Sequence, residues 1–374
     1  MCFFLTIDIY FSRDDTMKKI NKTLLISVII LSLLGLLMIY SSSNIWAEYK
    51  FHDQFKYLKS QSLFLLIGYA IIFFISKIDY QIYYKYSNLI LIICLILLIL
   101  VLIPGIGSIR NGSRSWFGIG SLGIQPSEFA KLGLIIFTSK YLYNNKIKDI
   151  KTSILPILLI LIIFFGLIML QPDLGTGVIL TMTIISMLFI SGINLSFFIK
   201  LGIIGLIGFI VLIIIAPYRI ERITSFLNPW KDPLGSGFQI IQSMYAIGPG
   251  GLLGMGLGNS IQKHFYLPEP QTDFIFSIIS EELGFIGATF IIILFIIIIK
   301  RGIDISLKQS NKFAKYLSFG ITFSIAFQTI LNLMVVVGLI PVTGVTLPFI
   351  SYGGSSLLIS MTYIGILLNI SKYN

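Results

Sequence analysis

Cysteine and histidine are nearly missing from this chain, two of each in 374 residues. Cys2 and Cys94 cannot build a disulfide framework or a cysteine-ligated metal site. His52 and His264 lack metal-ligand spacing. Charge is scarce as well: 11% of residues are Asp, Glu, Lys or Arg, against roughly 25% in soluble domains. Acids are the scarcer sign, 16 against 27 Lys and Arg, for a formal net charge of +11. Apolar residues make up 56% of the chain, and the mean hydropathy is +0.94. A soluble domain of this length could not hide so much apolar surface. These deficits exclude a cytosolic enzyme, a secreted disulfide scaffold and a disordered chain. A charge of +11 on a soluble protein would suggest nucleic acid. In a lipid solvent the question becomes which side of the membrane holds it.

A spanning helix needs about 20 mostly apolar residues. Ten intervals qualify: 23–40, 58–76, 86–104, 126–143, 152–171, 174–192, 194–216, 273–299, 316–340 and 346–370. Runs such as Leu89–Leu102 are continuously apolar, without the alternation of a barrel strand. The expected fold class is therefore all-α, a polytopic membrane protein with about ten transmembrane helices.

Ten spans place both termini on one side. If that side is the cytoplasm, its loops hold 17 of the 27 Lys and Arg and 6 of the 16 acids, and the remainder balances at 10 against 10. All the excess charge then lies inside, as the positive-inside rule expects. The first apolar run, after Lys18 and Lys19, is too long for a signal peptide and reads as a span. Residues 1–16 read as a non-native or disordered extension without function, because Met17-Lys18-Lys19 makes a more ordinary start. Residues 17–374 read as one transmembrane domain. Its outer segment 217–272 contains six prolines and a glycine-rich stretch. The aromatics Phe226, Trp230, Phe238, Tyr245, Phe265 and Tyr266 argue that it is an ordered loop. A smaller irregular outer segment covers 105–125.

Several motifs carry polar groups at the borders of spans. In Gln125-Pro126-Ser127-Glu128-Phe129-Ala130-Lys131, Glu128 and Lys131 share a helix face. They form either a helix-entry ion pair or part of a polar cavity. In Gln171-Pro172-Asp173-Leu174-Gly175-Thr176, Asp173 is placed to cap the following helix. In Leu267–Phe276, Asp273 opens a span directly after the long loop. It is either an N-cap or a desolvated general base. Glu281 and Glu282 lie two turns deeper and need partners in the bundle. Gly248–Gly258 lacks the strand, the spacing and the Gly-Lys-Ser/Thr of a nucleotide loop, which leaves backbone flexibility or close helix approach. Pro341–Ser356 marks a broken helix lining a cavity or packed on protein. The outer bases Arg110, Arg114, Arg219, Arg222 and Lys263 could grip phosphate or contact lipid head groups. From the residues alone, a transporter and an enzyme acting on a lipid-linked substrate stand level.

Taken together, Asn111–Trp116, Gln125–Lys131, Gln171–Thr176, Leu267–Phe276 with Glu281-Glu282-Leu283-Gly284, and Pro341–Ser356 resemble the SEDS family (shape, elongation, division and sporulation). The motifs follow the family's order over about residues 17–370. Ser225–Pro233 and Gln262–Pro270 look most like its FtsW and SpoVE branch, with RodA second. The resemblance implies a peptidoglycan glycosyltransferase that polymerises lipid II, an undecaprenyl-pyrophosphate disaccharide-pentapeptide, on the outer face of a bacterial cytoplasmic membrane. It implies a class B penicillin-binding protein as transpeptidase partner, alongside other division or elongation proteins, and no nucleic acid. The family's essential aspartate falls on Asp273. Trp116, Glu128 and Lys131 fall on positions the family treats as functional. Arg114, displaced by one from the usual Arg-Trp, joins Arg219, Arg222 and Glu269 as further substrate-binding candidates. Lys131 is expected to pair with Asp273 and hold it ionised. No cofactor is required by the reading, although a divalent cation such as magnesium or manganese could help the leaving group. A lipid II flippase and a non-catalytic scaffold are the alternatives.

Overall fold

The computed structural model describes residues 20–110, 112–118, 123–145, 154–215 and 217–373, apart from the side chains of 209, 212, 215 and 217–219. The proposed extension 1–16 lies outside them. Twelve α-helices and one small hairpin are present among the described residues. Helices α1 (Lys22–Phe51), α2 (Lys56–Ile75) and α3 (Gln81–Leu100) lead to strands β1 (Ser108–Arg110) and β2 (Ser113–Trp116). Then follow α4 (Pro126–Asn144), α5 (Leu155–Met169), α6 (Leu174–Ile190) and α7 (Leu195–Ile215). Short helices α8 (Pro217–Leu227) and α9 (Phe238–Ile247) belong to the long loop, and α10 (Ile275–Lys308), α11 (Lys312–Val336) and α12 (Gly354–Ile370) close the chain.

Ten of these helices fall at the ten expected intervals. Only six are long and apolar enough to cross a membrane by length and composition: α1, α2, α3, α10, α11 and α12. Helices α5 and α6 are shorter, and α7 qualifies only over Leu195–Gly208. Helix α4 carries Glu128, Lys131 and Lys140, which lower its apolarity. The chain is an all-helical, multi-pass membrane protein, and the number of crossings beyond six rests on its sequence.

Helix ends follow local chemistry. Asn21 Oδ1 accepts from Leu24 N at 3.1 Å to start α1. Asn311 Oδ1 accepts from the N–H groups of Phe313 and Ala314 to start α11. Asp173 Oδ1 accepts from Thr176 N at 3.0 Å, so the expected cap of α6 is made. Pro126 sits in the first turn of α4, where its missing N–H costs nothing. Helix α1 packs on α10 and α2 and buries Leu24, Val28, Leu31 and Met38, as a retained span should.

The centre is α12, which packs along α2 and α11 and is buried almost all round. Residues 337–353 before it are irregular, and their polar backbone is met by side chains from neighbouring helices. Gln328 Nε2 donates to Thr346 O (3.0 Å), Asn332 Nδ2 to Val345 O (2.7 Å) and Gln61 Nε2 to Ser351 O (3.3 Å). Such backbone is tolerated at membrane depth only when protein satisfies it. Helix α10 is broken at Gly284, whose φ of 63° and ψ of −165° leave the helix. Gly254, at φ 80°, packs against this break, and a Cβ on either glycine would strike the other segment's backbone. The glycine-rich stretch therefore serves close approach of loop to helix.

Candidate functional site

The long loop reaches Asp273 through a tight turn. Thr272 N and Thr272 Oγ1 both donate to Glu269 O, at 3.1 and 2.8 Å. Thr272 Oγ1 also lies 2.9 Å from Asp273 Oδ1 and can donate to it instead. The next helix starts at Ile275 with Phe274 as its cap residue, and no side chain caps it. The capping alternative for Asp273 thus fails, and its carboxylate is not committed to the helix end. Asp273 is partly buried, and its carboxyl group is deep enough that desolvation dominates. Burial raises its pKa above the usual carboxylate range. The Thr272 hydroxyl opposes this by lowering it, Glu269 raises it further, and Arg222 lowers it. Asp273, Glu269 and Arg222 therefore form one electrostatic group.

Arg222 stands on α8 and donates from Nη1 to Val342 O at 3.0 Å, which ties the helix to the irregular segment before α12. Asn332 bridges the same segment to the aspartate, donating from Nδ2 to Asp273 O and to Val345 O, both at 2.7 Å. One turn earlier on α11, Gln328 Oε1 accepts from Lys131 Nζ at 2.8 Å. Lys131 also pairs with Glu128 at 3.0 Å, and both side chains are almost wholly buried. The expected Lys131–Asp273 pair is not made. Lys131 is a helix α4 residue whose partners among the described residues are Glu128 and Gln328, and the amides of α11 link it toward Asp273. Gln328 and Asn332 were not singled out from the sequence. Their signal was available, because two amides four residues apart in an apolar helix share one face.

The other motifs close around this group. Gln125 Nε2 donates to Asp173 Oδ2 (3.0 Å) and Gln125 N to Ser355 Oγ (2.9 Å). Ser113 Oγ on β2 bonds to Gln171 O. Tyr352 N donates to Gln271 O at 2.8 Å, two residues before Asp273. Segment 105–125, expected to be irregular, holds the hairpin, with Arg110 paired to Ser113. The Arg110 guanidinium lies 4.7 Å from the Trp116 ring centre and interacts electrostatically with Tyr352. Arg114 pairs with Ile109 in the ladder and makes no ion pair among the described residues. The hairpin base beside Trp116 and Tyr352 is Arg110. The Arg219 side chain lies outside the described residues.

Glu281 and Glu282 are fully buried and find partners in the loop. Glu281 accepts from Ser260 Oγ (2.5 Å) and from Ile261 N (2.8 Å). Glu282 accepts from Ser41 Oγ (2.7 Å) and pairs with Lys263 (3.4 Å). These contacts clamp residues 260–263 to α10, and the chain then runs ten residues from Lys263 to Asp273. Their role is to hold the loop.

Comparison with known proteins decides the family. The FtsW/RodA/SpoVE family model, described as a cell cycle protein, matches residues 21–374. The chain belongs to this family. Stage V sporulation protein E of Bacillus subtilis is 54% identical over 363 residues, covering 96% of this chain and 99% of that protein. A probable peptidoglycan glycosyltransferase FtsW from Trichlorobacter lovleyi is 43% identical, covering 95% and 94%. Among solved structures, a chain from a peptidoglycan synthase complex superposes with a TM-score of 0.79 at 30% identity, covering 95% of this chain and 98% of that one. The rod shape determining protein RodA of Thermus thermophilus superposes at 0.71 with 27% identity, covering 95% and 98%. The FtsW/SpoVE branch expected from Ser225–Pro233 and Gln262–Pro270 is supported by these identities.

Among the described residues, no three His, Cys, Asp or Glu side chains gather as a metal site. Asp273 and Glu269 do act on each other electrostatically. Two carboxylates fit the sparse protein contribution usual for magnesium, which takes its remaining ligands from water and substrate phosphates.

Proposed function

We propose that this chain is a peptidoglycan glycosyltransferase that polymerises lipid II on the outer face of a bacterial cytoplasmic membrane, with both termini in the cytoplasm. The carrying observation is a desolvated Asp273 carboxylate, not spent on a helix cap, between Arg222 and Glu269 at the end of the long loop. Its raised pKa suits a base that must take a proton near neutral pH.

In the proposed reaction the acceptor sugar's 4-hydroxyl attacks the anomeric carbon of the donor. Its proton passes to Asp273 as the new carbon–oxygen bond forms. The bond from that carbon to the lipid pyrophosphate breaks, and the electron pair leaves with the pyrophosphate. A single displacement inverts the centre, turning an α-linked donor into a β-linked glycan. Arg222 on α8, with Arg110 from the hairpin, supplies positive charge for the leaving group. Trp116 offers a ring face for sugar or lipid. Glu128 and Lys131 act through Gln328 and Asn332 and fix the backbone at Asp273. Glu269, with the substrate's own phosphates, would hold a divalent cation, which would neutralise pyrophosphate charge and leave Asp273 as the base. A class B penicillin-binding protein would crosslink the product.

The test is polymerisation of lipid II by the purified full chain, alone and with its transpeptidase. Asp273→Asn removes basicity without a capping bond to lose, and activity should fall about 10²–10⁴-fold. Wild-type rates in that variant would sink the base assignment. Transbilayer movement of lipid II without polymerisation would favour a flippase instead.

A further inference from the structure

The outer end of α1 carries exposed aromatic side chains that the Asp273 chemistry does not use. Tyr49 is 72% exposed, and Phe265 from the long loop is 48% exposed. Their rings meet edge-on at 5.3 Å, and both pack on Trp46, at 6.3 and 5.5 Å. Phe265 holds a backbone φ of 66°, in the left-handed region where a bulky residue is strained. Such strain persists only where the surroundings impose it, and it gathers at functional sites.

The rings continue inward to the site. Lys50 Nζ lies 5.6 Å from the ring centres of both Trp46 and Phe51. Phe51 meets Tyr57 edge-on at 5.9 Å, and Tyr57 meets Tyr352 edge-on at 4.9 Å. Tyr57 also interacts electrostatically with Glu269, which acts in turn on Asp273. Tyr352 is fixed in place, because its N–H donates to Gln271 O at 2.8 Å and its hydroxyl to Ser60 Oγ at 3.3 Å. One wall of rings therefore runs from the Asp273 loop to the outer surface.

Lipid does not call for such a wall, since the exposed residues Ile26, Leu33 and Leu37 of the same helix are aliphatic. A belt of aromatics at the membrane surface explains neither the strain at Phe265 nor the continuity with Asp273. A sugar chain explains both. A pyranose presents a face of C–H bonds that stacks on an aromatic ring, while its hydroxyl and acetamido groups seek polar atoms at the ring edges. Tyrosine hydroxyls and the Lys50 ammonium are such atoms. A polymer made at Asp273 lengthens at every turnover and must leave along the outer surface, where this wall leads.

We propose that these rings form a platform for the glycan product, a β-linked chain of N-acetylated sugars, with pyranose faces on Tyr49 and Phe265. The identity of the sugar rests on the polymerase reading above.

The experiment is calorimetric titration of the full chain in detergent with chitohexaose, a soluble β-linked N-acetylglucosamine oligomer. Wild type should bind it. Tyr49→Leu keeps an apolar side chain without the ring and should weaken binding about three- to tenfold, the worth of one aromatic contact. Tyr49→Trp should retain the wild-type affinity. Leu234→Ala, an exposed residue of the long loop outside the wall, should leave it unchanged. Tyr49 is exposed, so an unaltered thermal midpoint in Tyr49→Leu separates lost binding from misfolding. Absence of binding by wild type would overturn the proposal and leave the rings to the membrane surface or a protein partner. Equal affinities of wild type and Tyr49→Leu would overturn it too, as would equal losses in Tyr49→Leu and Leu234→Ala. The titration contains no lipid II and needs no turnover, so its failure leaves the polymerase reading standing, and a failure of polymerisation leaves the titration standing.

Discussion

The Glu128–Lys131 pair gives the sharpest quantitative test of how the site is held. Its N–O distance is 3.0 Å, with side-chain exposures of 8% and 1%, and Gln328 adds a 2.8 Å hydrogen bond to the ammonium. Lys131→Met keeps most of the side chain's volume but leaves a buried carboxylate without its cation. Removing one partner of a buried pair costs about 3–5 kcal/mol. Gln328 Oε1 also loses its donor, at about 1 kcal/mol or more. A total near 5 kcal/mol lowers a thermal midpoint by roughly 10–20 °C, at the 2–4 °C per kcal/mol of mid-sized domains. Glu128→Gln with Lys131→Met removes both charges, and should recover a large part of the loss. The assay is a double-mutant cycle on the full chain in detergent, read by thermal unfolding, with a coupling energy of about 1–3 kcal/mol. A single-variant cost below about 1 kcal/mol would refute the reasoning, because it would mean that water reaches the pair. So would strict additivity. If Lys131 serves the reaction only through position, the double variant should regain stability and part of its polymerisation.

The remaining expectations concern Asp273 and the loop. The folded pKa of Asp273 is raised by burial, so its ionisation opposes folding. Wild type should therefore lose stability as pH rises from the ordinary carboxylate range through the raised pKa. Asp273→Asn should lack that segment of the profile and be at least as stable at pH 7, although far less active; thermal unfolding from pH 4 to 8 reads this. Gly254→Ala combines a φ of 80° with a Cβ directed at the Glu282 carbonyl. It should cost about 1–2 kcal/mol from the backbone conformation alone, and more from the displaced loop, seen as faster proteolysis of residues 248–263. Glu282→Gln leaves Lys263 buried without its counter-charge and should cost about 3–5 kcal/mol. Protection of the loop amides from hydrogen exchange should fall with it.

Much of the architecture was readable because lipid imposes a coarse code. Continuous apolar runs gave helices at the ten expected intervals, and Asp173 capped α6 as its place in the turn required. Asp273 was conspicuous because an acid at a span border is costly. The hairpin escaped notice because three- and four-residue strands leave little pattern. The break in α10 escaped too, since one glycine in an apolar run looks like packing until its φ is known. Lys131 pairs with Glu128 as their spacing allowed, but its second partner was misjudged because opposite charge suggested Asp273. A neutral amide, Gln328, took the place beside Glu128 instead.

By itself the sequence determined the solvent, the helices, the family and the one carboxylate on which the proposed chemistry depends. These follow from composition and local order, where hydrophobicity and short motifs act within one segment. Tertiary structure alone decided what that carboxylate meets. It set Asp273 apart from the helix cap, surrounded it with Arg222 and Glu269, and joined it through Asn332 and Gln328 to a buried ion pair. Those neighbours come from four separate segments of the chain. Desolvation and charge depend on distance in space, and distance along the sequence does not supply it.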